Sequence, residues 1–155
     1  MLEEGKKAPD FTLMVDGGGK LKLSGLKGNS VVIFFYPKDD TSGCTKEAIE
    51  FTAGKAKFAA LNAEIVGISP DSVASHDKFK AKHDLTVTLA ADVEKAVCEK
   101  YGVWVEKSMY GRKYMGVERT TVLVDKSGKI AKIWRKVKVP GHVDAVLEAV
   151  KALSA

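Results

Sequence analysis

The stretch Val31-Val32-Ile33-Phe34-Phe35-Tyr36-Pro37-Lys38-Asp39-Asp40-Thr41-Ser42-Gly43-Cys44-Thr45-Lys46-Glu47-Ala48-Ile49 passes from an unbroken apolar run, through a polar loop opened by proline, into a helical pattern. The apolar run, stopped by Pro37, reads as a buried strand. Beyond it Ala48, Phe51, Phe58 and Leu61 fall on one face of a helix that begins near Cys44, and Gly54 is expected to weaken or bend its middle. Cys44 therefore stands at a strand-to-helix junction. Free backbone N–H groups and the positive end of the helix dipole converge at such a point, and both favour thiolate over thiol.

Outward from this stretch, apolar runs and helical patterns alternate, the signature of an α/β fold with a central sheet. Strands are predicted over 31–36, 64–68, 86–90, 120–124 and 130–137. Asp125-Lys126-Ser127-Gly128-Lys129 separates the last two, which read as an antiparallel hairpin, and an earlier pair flanks Asp16-Gly17-Gly18-Gly19. Asp71 or Ser72 can cap a second helix running through Phe79, and Val93, Ala96, Val97 and Tyr101 mark a third. Val143, Val146, Leu147 and Val150 repeat at helical spacing, with His142 expected to start that last helix after Pro140-Gly141. His76 and His83 are expected on a wet face. Parallel β-α-β units followed by a hairpin and a final helix make the thioredoxin-like layout: a central mixed sheet flanked by helices, here with an N-terminal β-hairpin.

The bulk numbers bound the rest. A chain of 155 residues is the usual size of one domain, so residues 1–155 are expected to form one. Its composition, 45% hydrophobic and 29% charged, is that of a globular protein, and no apolar run approaches the roughly 20 residues that span a bilayer. Met1-Leu2-Glu3-Glu4-Gly5-Lys6-Lys7 has neither the apolar core of a secretory signal nor the acid-poor composition of a transit peptide, so a cytoplasmic location is expected. Two cysteines, Cys44 and Cys98, form at most one bridge, which suits a reducing compartment where thiols do chemistry. The net charge of +5 is concentrated between Lys126 and Lys138, but there the basic residues alternate with Ile130, Ile133, Trp134, Val137 and Val139, as on a strand with one solvated face. Nucleic acid is accordingly not an expected partner.

Pro37-x-x-x-Thr41-x-x-Cys44 resembles the active-site loop of the peroxiredoxins, and Tyr36-Pro37-Lys38-Asp39 with Gly43-Cys44-Thr45-x-Glu47 is similar to their bacterioferritin comigratory protein (peroxiredoxin Q) branch. The likeness continues in Ala8-Pro9-Asp10-Phe11-Thr12-Leu13, in Val66-Gly67-Ile68-Ser69-Pro70-Asp71-Ser72, in Tyr101-Gly102-Val103 with Glu106-Lys107, and in Gly116-Val117-Glu118-Arg119-Thr120-Thr121-Val122-Leu123. Nearly the whole chain is covered in the right order. The resemblance implies a thioredoxin-like fold and a thiol peroxidase in which Cys44 attacks a hydroperoxide, with thioredoxin, glutaredoxin or a small thiol as reductant, no metal or other cofactor, and a monomer.

A free thiol, with a pKa of about 8.5, needs cationic or hydrogen-bonding help to react at neutral pH. The resemblance places Arg119 beside Cys44, where a guanidinium that never deprotonates stabilises thiolate and orients a peroxide oxygen. Thr41 can turn its hydroxyl toward the sulfur or close a turn, Pro37 shapes the pocket, and the backbone N–H groups of Gly43 and Cys44 can bind peroxide oxygen. Glu47 matches the same pattern and is expected to cap the helix start or to meet Arg119.

Two departures from the branch stand out. Many members carry a second, resolving cysteine five residues after the first, where this chain has Ile49; others place it on the next helix, where Lys80 stands here. Cys98 is the remaining thiol, expected to pack as a small hydrophobe, with a disulfide to Cys44 after local unfolding, or to another chain, as the alternative. A one-cysteine cycle is the resulting expectation. Ser42 replaces the proline usual between the threonine and the glycine, which loosens the loop and is expected to ease sulfinic over-oxidation. Competing readings are weaker in the sequence. A disulfide oxidoreductase wants Cys-x-x-Cys, but Glu47 fills the second cysteine position. A polyanion-binding or holdase module would need only the charge of the Lys126–Lys138 segment, and His76, His83 and His142 show no zinc-ligand spacing relative to the cysteines.

Overall fold

The computed structural model describes residues 2–154. Three strands, β3 (Ser30–Phe35), β4 (Ala63–Ser69) and β5 (Thr88–Ala91), run parallel because a helix links each to the next: α1 (Ser42–Ala59), then α2 (Val73–His83). The hairpin of β8 (Thr120–Val124) and β9 (Ile130–Trp134) adds antiparallel to β3, and an N-terminal hairpin of β1 (Thr12–Val15) and β2 (Lys20–Lys22) adds antiparallel to β5. The order across this seven-stranded sheet is β2-β1-β5-β4-β3-β8-β9. A short α3 (Ala96–Lys100) leads into a separate two-stranded hairpin, β6 (Trp104–Met109) and β7 (Arg112–Val117), and α4 (His142–Ser154) follows the last strand. This is the thioredoxin-like layout. None of the described helices is long and apolar enough to cross a membrane.

Every residue of β3 is buried, so its alternating side chains feed two cores. Val31, Ile33 and Phe35 pack with Phe11, Val97, Cys98, Tyr101 and Val103 on one face of the sheet. Val32 and Phe34, with Tyr36 just beyond, pack with Cys44, Phe51, Phe58, Phe79 and Val146 on the other. The stack of Phe51 on Phe34, centroids 4.7 Å apart, seats α1 on the sheet. Gly67 leaves room for that stack, since a Cβ there would come within 2.6 Å of the Phe34 ring.

Several elements differ from the sequence expectation, each for a local reason. α1 is unbroken at Gly54, which lies against α4; a Cβ there would touch Phe58 at 3.5 Å and Val143 at 3.7 Å. The third helix starts only at Ala96, leaving Val93 exposed, because the Asp92 carboxylate accepts the N–H groups of Val97 (3.3 Å) and Cys98 (2.8 Å) and fixes its first turn. The β6–β7 hairpin was not foreseen; its turn places Tyr110 and Gly111 at φ 52° and 76°. His76 is the clearest correction: it lies wholly buried, not on a wet face, with Nδ1 2.7 Å from Asp39 Oδ2 and Nε2 3.0 Å from the Ala90 carbonyl. His83 is only partly exposed and sits 2.8 Å from the Asp40 carboxylate. His142 does open α4, and Ser72 does cap α2, accepting the Ser75 N–H.

Candidate active site

Extended backbone at Thr41 turns directly into α1, and the Thr41 carbonyl accepts the first helical bond from Thr45 N–H at 2.9 Å. Cys44 therefore lies in the first turn, 1% exposed, its sulfur facing the short link between β7 and β8. Arg119 occupies that link. Its neighbour Glu118 donates its N–H to the Val103 carbonyl (2.7 Å), and the Arg119 carbonyl accepts from Val137 N–H (2.9 Å), so the backbone is held on both sides. From there the guanidinium forks: Nη2 donates to Cys44 Sγ at 3.3 Å and Nη1 to Glu47 Oε1 at 2.8 Å. It passes directly over Gly43, where a Cβ would stand 3.2 Å from Nη2. Cys44, Glu47 and Arg119 are thus one contact group, built from residues 72 to 75 positions apart.

The other anticipated residues divide between the loop before Cys44 and the far side of the sheet. Thr41 is exposed and donates its hydroxyl proton to the Lys38 carbonyl at 2.8 Å, so it closes the turn, while its lone pairs have no donor among the described residues. Pro37 follows the end of β3, half-buried at the mouth of the loop. Glu47 does not cap the helix. It is fully buried and bound to Arg119, because its position one turn into α1 points inward. Cys98 belongs to the core on the opposite face of the sheet from Cys44. Burial first, and the Asp92 carboxylate second, push its thiol far above the ordinary range.

The charges at the site pull against each other. Burial raises the Glu47 carboxyl to about 7 despite the neighbouring guanidinium, and its Oε2 has no partner among the described residues. Arg119 responds the other way: burial opposes its charge, yet the Cys44 sulfur and the Glu47 carboxylate together hold its pKa above the usual value. Two further groups join them that the sequence reading did not single out for chemistry. Lys107 on β6 is lowered by partial burial and then by Arg119, with Cys44 acting in the opposite sense, which places its ammonium within the field of the pair. His142, buried with Nε2 2.7 Å from Thr121 Oγ1, is lowered to about 4, first by burial and then by Arg119, and so stays neutral. Lys107 lies in the Glu106-Lys107 pair that carries part of the family likeness, and that pair was the signal that could have drawn attention to it.

A stability consequence follows from Glu47. Its folded pKa exceeds its ordinary 4.5, so its contribution is complete below about pH 4.5 and declines as the pH rises through about 7. Glu47→Gln removes that titration. The stability difference, variant minus parent, is expected to move in the variant's favour by roughly 1–3 kcal/mol between pH 5 and pH 8. Urea unfolding of both proteins across that range checks it, and a difference independent of pH would show that Glu47 does not titrate there.

Among the described residues one group has metal-ligand proximity, Asp39, Asp71 and His76, whose ligand atoms lie within 4.8 Å of one another. The sequence spacing did not announce it. Each of these three side chains is already engaged by protein hydrogen bonds, so the group is satisfied by the chain itself.

A thioredoxin-like fold that brings an arginine to a buried cysteine at a helix start defines a thiol peroxidase class of protein, and the relatives agree. The AhpC/TSA family model matches residues 5–133, and the chain belongs to that family, in its bacterioferritin comigratory protein (peroxiredoxin Q) branch. Peroxiredoxin Bcp of Bacillus subtilis is 48% identical over 153 residues, covering 99% of this chain and 98% of that protein. Peroxiredoxin Bcp of Xanthomonas campestris is 46% identical over 143 residues, 92% of this chain and 89% of its own length. Among solved structures, the X. campestris bacterioferritin comigratory protein, studied for alkyl peroxide reduction, superposes with a TM-score of 0.92 at 41% identity, covering 99% of this chain and 100% of that one. A Xylella fastidiosa peroxiredoxin Q variant superposes with a TM-score of 0.95 at 36% identity, over 100% and 99% of the two chains. The chain is a thiol peroxidase, taking a hydroperoxide as substrate and a thiol as reductant.

Proposed function

We propose that Cys44 is the attacking nucleophile of this peroxidase. The observation that carries the reading is the single guanidinium of Arg119 bound at once to Cys44 Sγ and to the buried Glu47 carboxyl. The Cys44 thiolate attacks one oxygen of the hydroperoxide; an S–O bond forms, the O–O bond breaks, and the leaving oxygen takes a proton from the medium, giving Cys44 sulfenic acid and water or an alcohol. Arg119 and the backbone N–H groups of Gly43 and Cys44 stabilise the charge on the departing oxygen, the lone pairs of Thr41 accept from the terminal hydroxyl, and Pro37 limits water at the sulfur. Glu47 holds the guanidinium in line.

Recycling uses one cysteine of this chain. Cys98 lies across the sheet from Cys44, buried, with a raised pKa, and Ile49, five residues after Cys44, is an exposed aliphatic side chain. An external thiol, from thioredoxin, glutaredoxin or a small molecule, therefore attacks the sulfenic acid, releasing water and leaving a mixed disulfide that a second thiol opens. The chain acts as a single-domain monomer in the cytoplasm on this reading.

The deciding measurement is intact mass after a stoichiometric amount of hydrogen peroxide, with and without a sulfenic-acid trap, on the parent and on Cys98→Ser. A trapped adduct at Cys44 with Cys98 still reduced is expected in both. Rapid loss of two hydrogens in the parent alone would make Cys98 the resolving cysteine, and an unmodified Cys44 would overturn the assignment.

A further inference from the structure

The loop that delivers Cys44 is anchored from behind by a buried polar network that the reaction above does not use. At its centre is Asp39, 7% exposed, in contact with the fully buried His76 of α2. Asp39 Oδ1 accepts from Tyr36 Oη at 2.6 Å; its Oδ2 accepts from Ser75 Oγ at 2.8 Å and faces His76 Nδ1 at 2.7 Å. The far nitrogen of the same imidazole, Nε2, lies 3.0 Å from the Ala90 carbonyl of β5. The Asp39 N–H meanwhile donates to Asp71 Oδ2 at 2.8 Å, and Ser69 Oγ donates to that same oxygen at 2.7 Å. The ends of β3 and β4, the first turn of α2 and the inside of β5 thus converge on one residue of the active-site loop.

Counting donors fixes the protons. A carbonyl has only lone pairs, so Nε2 carries a hydrogen. Tyr36 keeps its proton, since burial first and Asp39 second push its phenol well above the ordinary value, and it therefore donates. With Tyr36 and Ser75 both donating to Asp39, the contact between Nδ1 and Oδ2 also requires a proton, held between imidazole and carboxyl. His76 and Asp39 form a hydrogen-bonded pair with every side-chain polar atom satisfied. The neighbouring Asp40 makes a second link to α2, through Lys82 (2.6 Å) and His83 (2.8 Å), but Asp40 and Lys82 are exposed and His83 partly so, and such pairs hold weakly.

We propose that the Asp39–His76 pair is a positioning unit for hydroperoxide reduction, fixing the loop of residues 37–41 so that Cys44 and the N–H groups beside it stay aligned with Arg119. The pair touches neither substrate nor sulfur; it acts through the loop. The proposal rests on the assignment of Cys44 as the nucleophile. Its expected signature is selective. Attack on an O–O bond needs the peroxide held in line with the sulfur, and a misplacement of about 1 Å can cost roughly a hundredfold in rate. Alkylation of the same thiol by iodoacetamide needs no such cradle. Removing one partner of a buried pair costs stability as well, so folding of each variant is checked beside the rates.

The test compares two second-order rates at Cys44, oxidation by hydrogen peroxide and alkylation by iodoacetamide, in the parent, His76→Phe, His76→Asn and Tyr36→Phe. His76→Phe keeps a ring in the cavity and removes both hydrogen bonds; it is expected to slow peroxide oxidation roughly 30- to 100-fold with alkylation changed less than about threefold. His76→Asn retains a donor near the Nδ1 position and is expected to recover part of the loss. Tyr36→Phe removes one donor to Asp39 with little change in shape and, should His76→Phe fail to fold, carries the test alone, with an expected loss of about fivefold in the peroxide rate only. Equal falls in both rates, or an unchanged peroxide rate in a folded His76→Phe or Tyr36→Phe, would overturn the proposal. Failure of the parent Cys44 to oxidise would instead overturn the assignment beneath it.

Discussion

Cys44→Ser is expected to reduce hydroperoxide turnover by roughly a thousandfold or more, to the background of the assay. The substitution is nearly isosteric, and Arg119 can donate to the new Oγ much as it does to Sγ, so the fold and the Arg119–Glu47 contact should persist. What disappears is the chemistry. An alcohol stays protonated beside a guanidinium at neutral pH, and its oxygen cannot form the sulfenic acid through which the peroxide bond is broken. A coupled assay with a dithiol reductant, run beside circular dichroism to confirm folding, measures it. Turnover surviving in Cys44→Ser would move the reaction to Cys98, a sulfur sealed in the opposite core with a raised pKa, and would refute the site. Cys98→Ser supplies the contrast, with turnover expected near the parent's.

Arg119→Met is expected to cost about 10²–10³-fold in the rate of Cys44 oxidation, the size found when a preorganised donor is removed from a buried reacting centre. Methionine roughly fills the guanidinium's space but offers nothing to the sulfur. It also strands Glu47, whose side chain is fully buried and has only Arg119 as a hydrogen-bond partner among the described residues. Arg119→Lys is the sharper probe. An ammonium keeps the charge but lacks the planar fork that reaches Sγ and Oε1 together, so an intermediate loss, about tenfold, is expected. Rapid-mixing measurements with hydrogen peroxide and with an alkyl hydroperoxide give both numbers. A rate in Arg119→Met within a factor of about three of the parent's would remove the guanidinium from the mechanism.

The central fold was legible because its signals are local. β3, β4 and β8 each carry a short run of apolar residues, and α4 repeats its apolar residues at helical spacing, so the sequence places them to within a residue or so. The β6–β7 hairpin escaped for the opposite reason: it pairs with no other strand and leaves Met109, Tyr110, Tyr114 and Met115 exposed, so no wet and dry alternation marks it. Cys44 could be singled out from helix-terminus electrostatics, but Arg119 could be tied to it only through family resemblance, because the contact joins residues 75 apart. His76 misled the reading most. Flanked by Ser75, Asp77 and Lys78 it has the profile of a solvent-facing position, and its partner Asp39 lies 37 residues away on the loop. Glu47 was misleading in a milder way: an acid early in a helix suggests a cap, and nothing nearby in sequence announces an arginine across the core.

The placement of the two sulfurs on opposite faces of one sheet has a kinetic meaning under the single-thiol cycle proposed above. An enzyme with an internal partner thiol closes its oxidised state in a unimolecular step whose rate is built into the protein. Here the closing step is bimolecular, and the lifetime of the oxidised form scales inversely with the concentration of whatever thiol reaches the start of α1. At steady state, the oxidised fraction of the protein then reads out the ratio of hydroperoxide to free thiol in its surroundings.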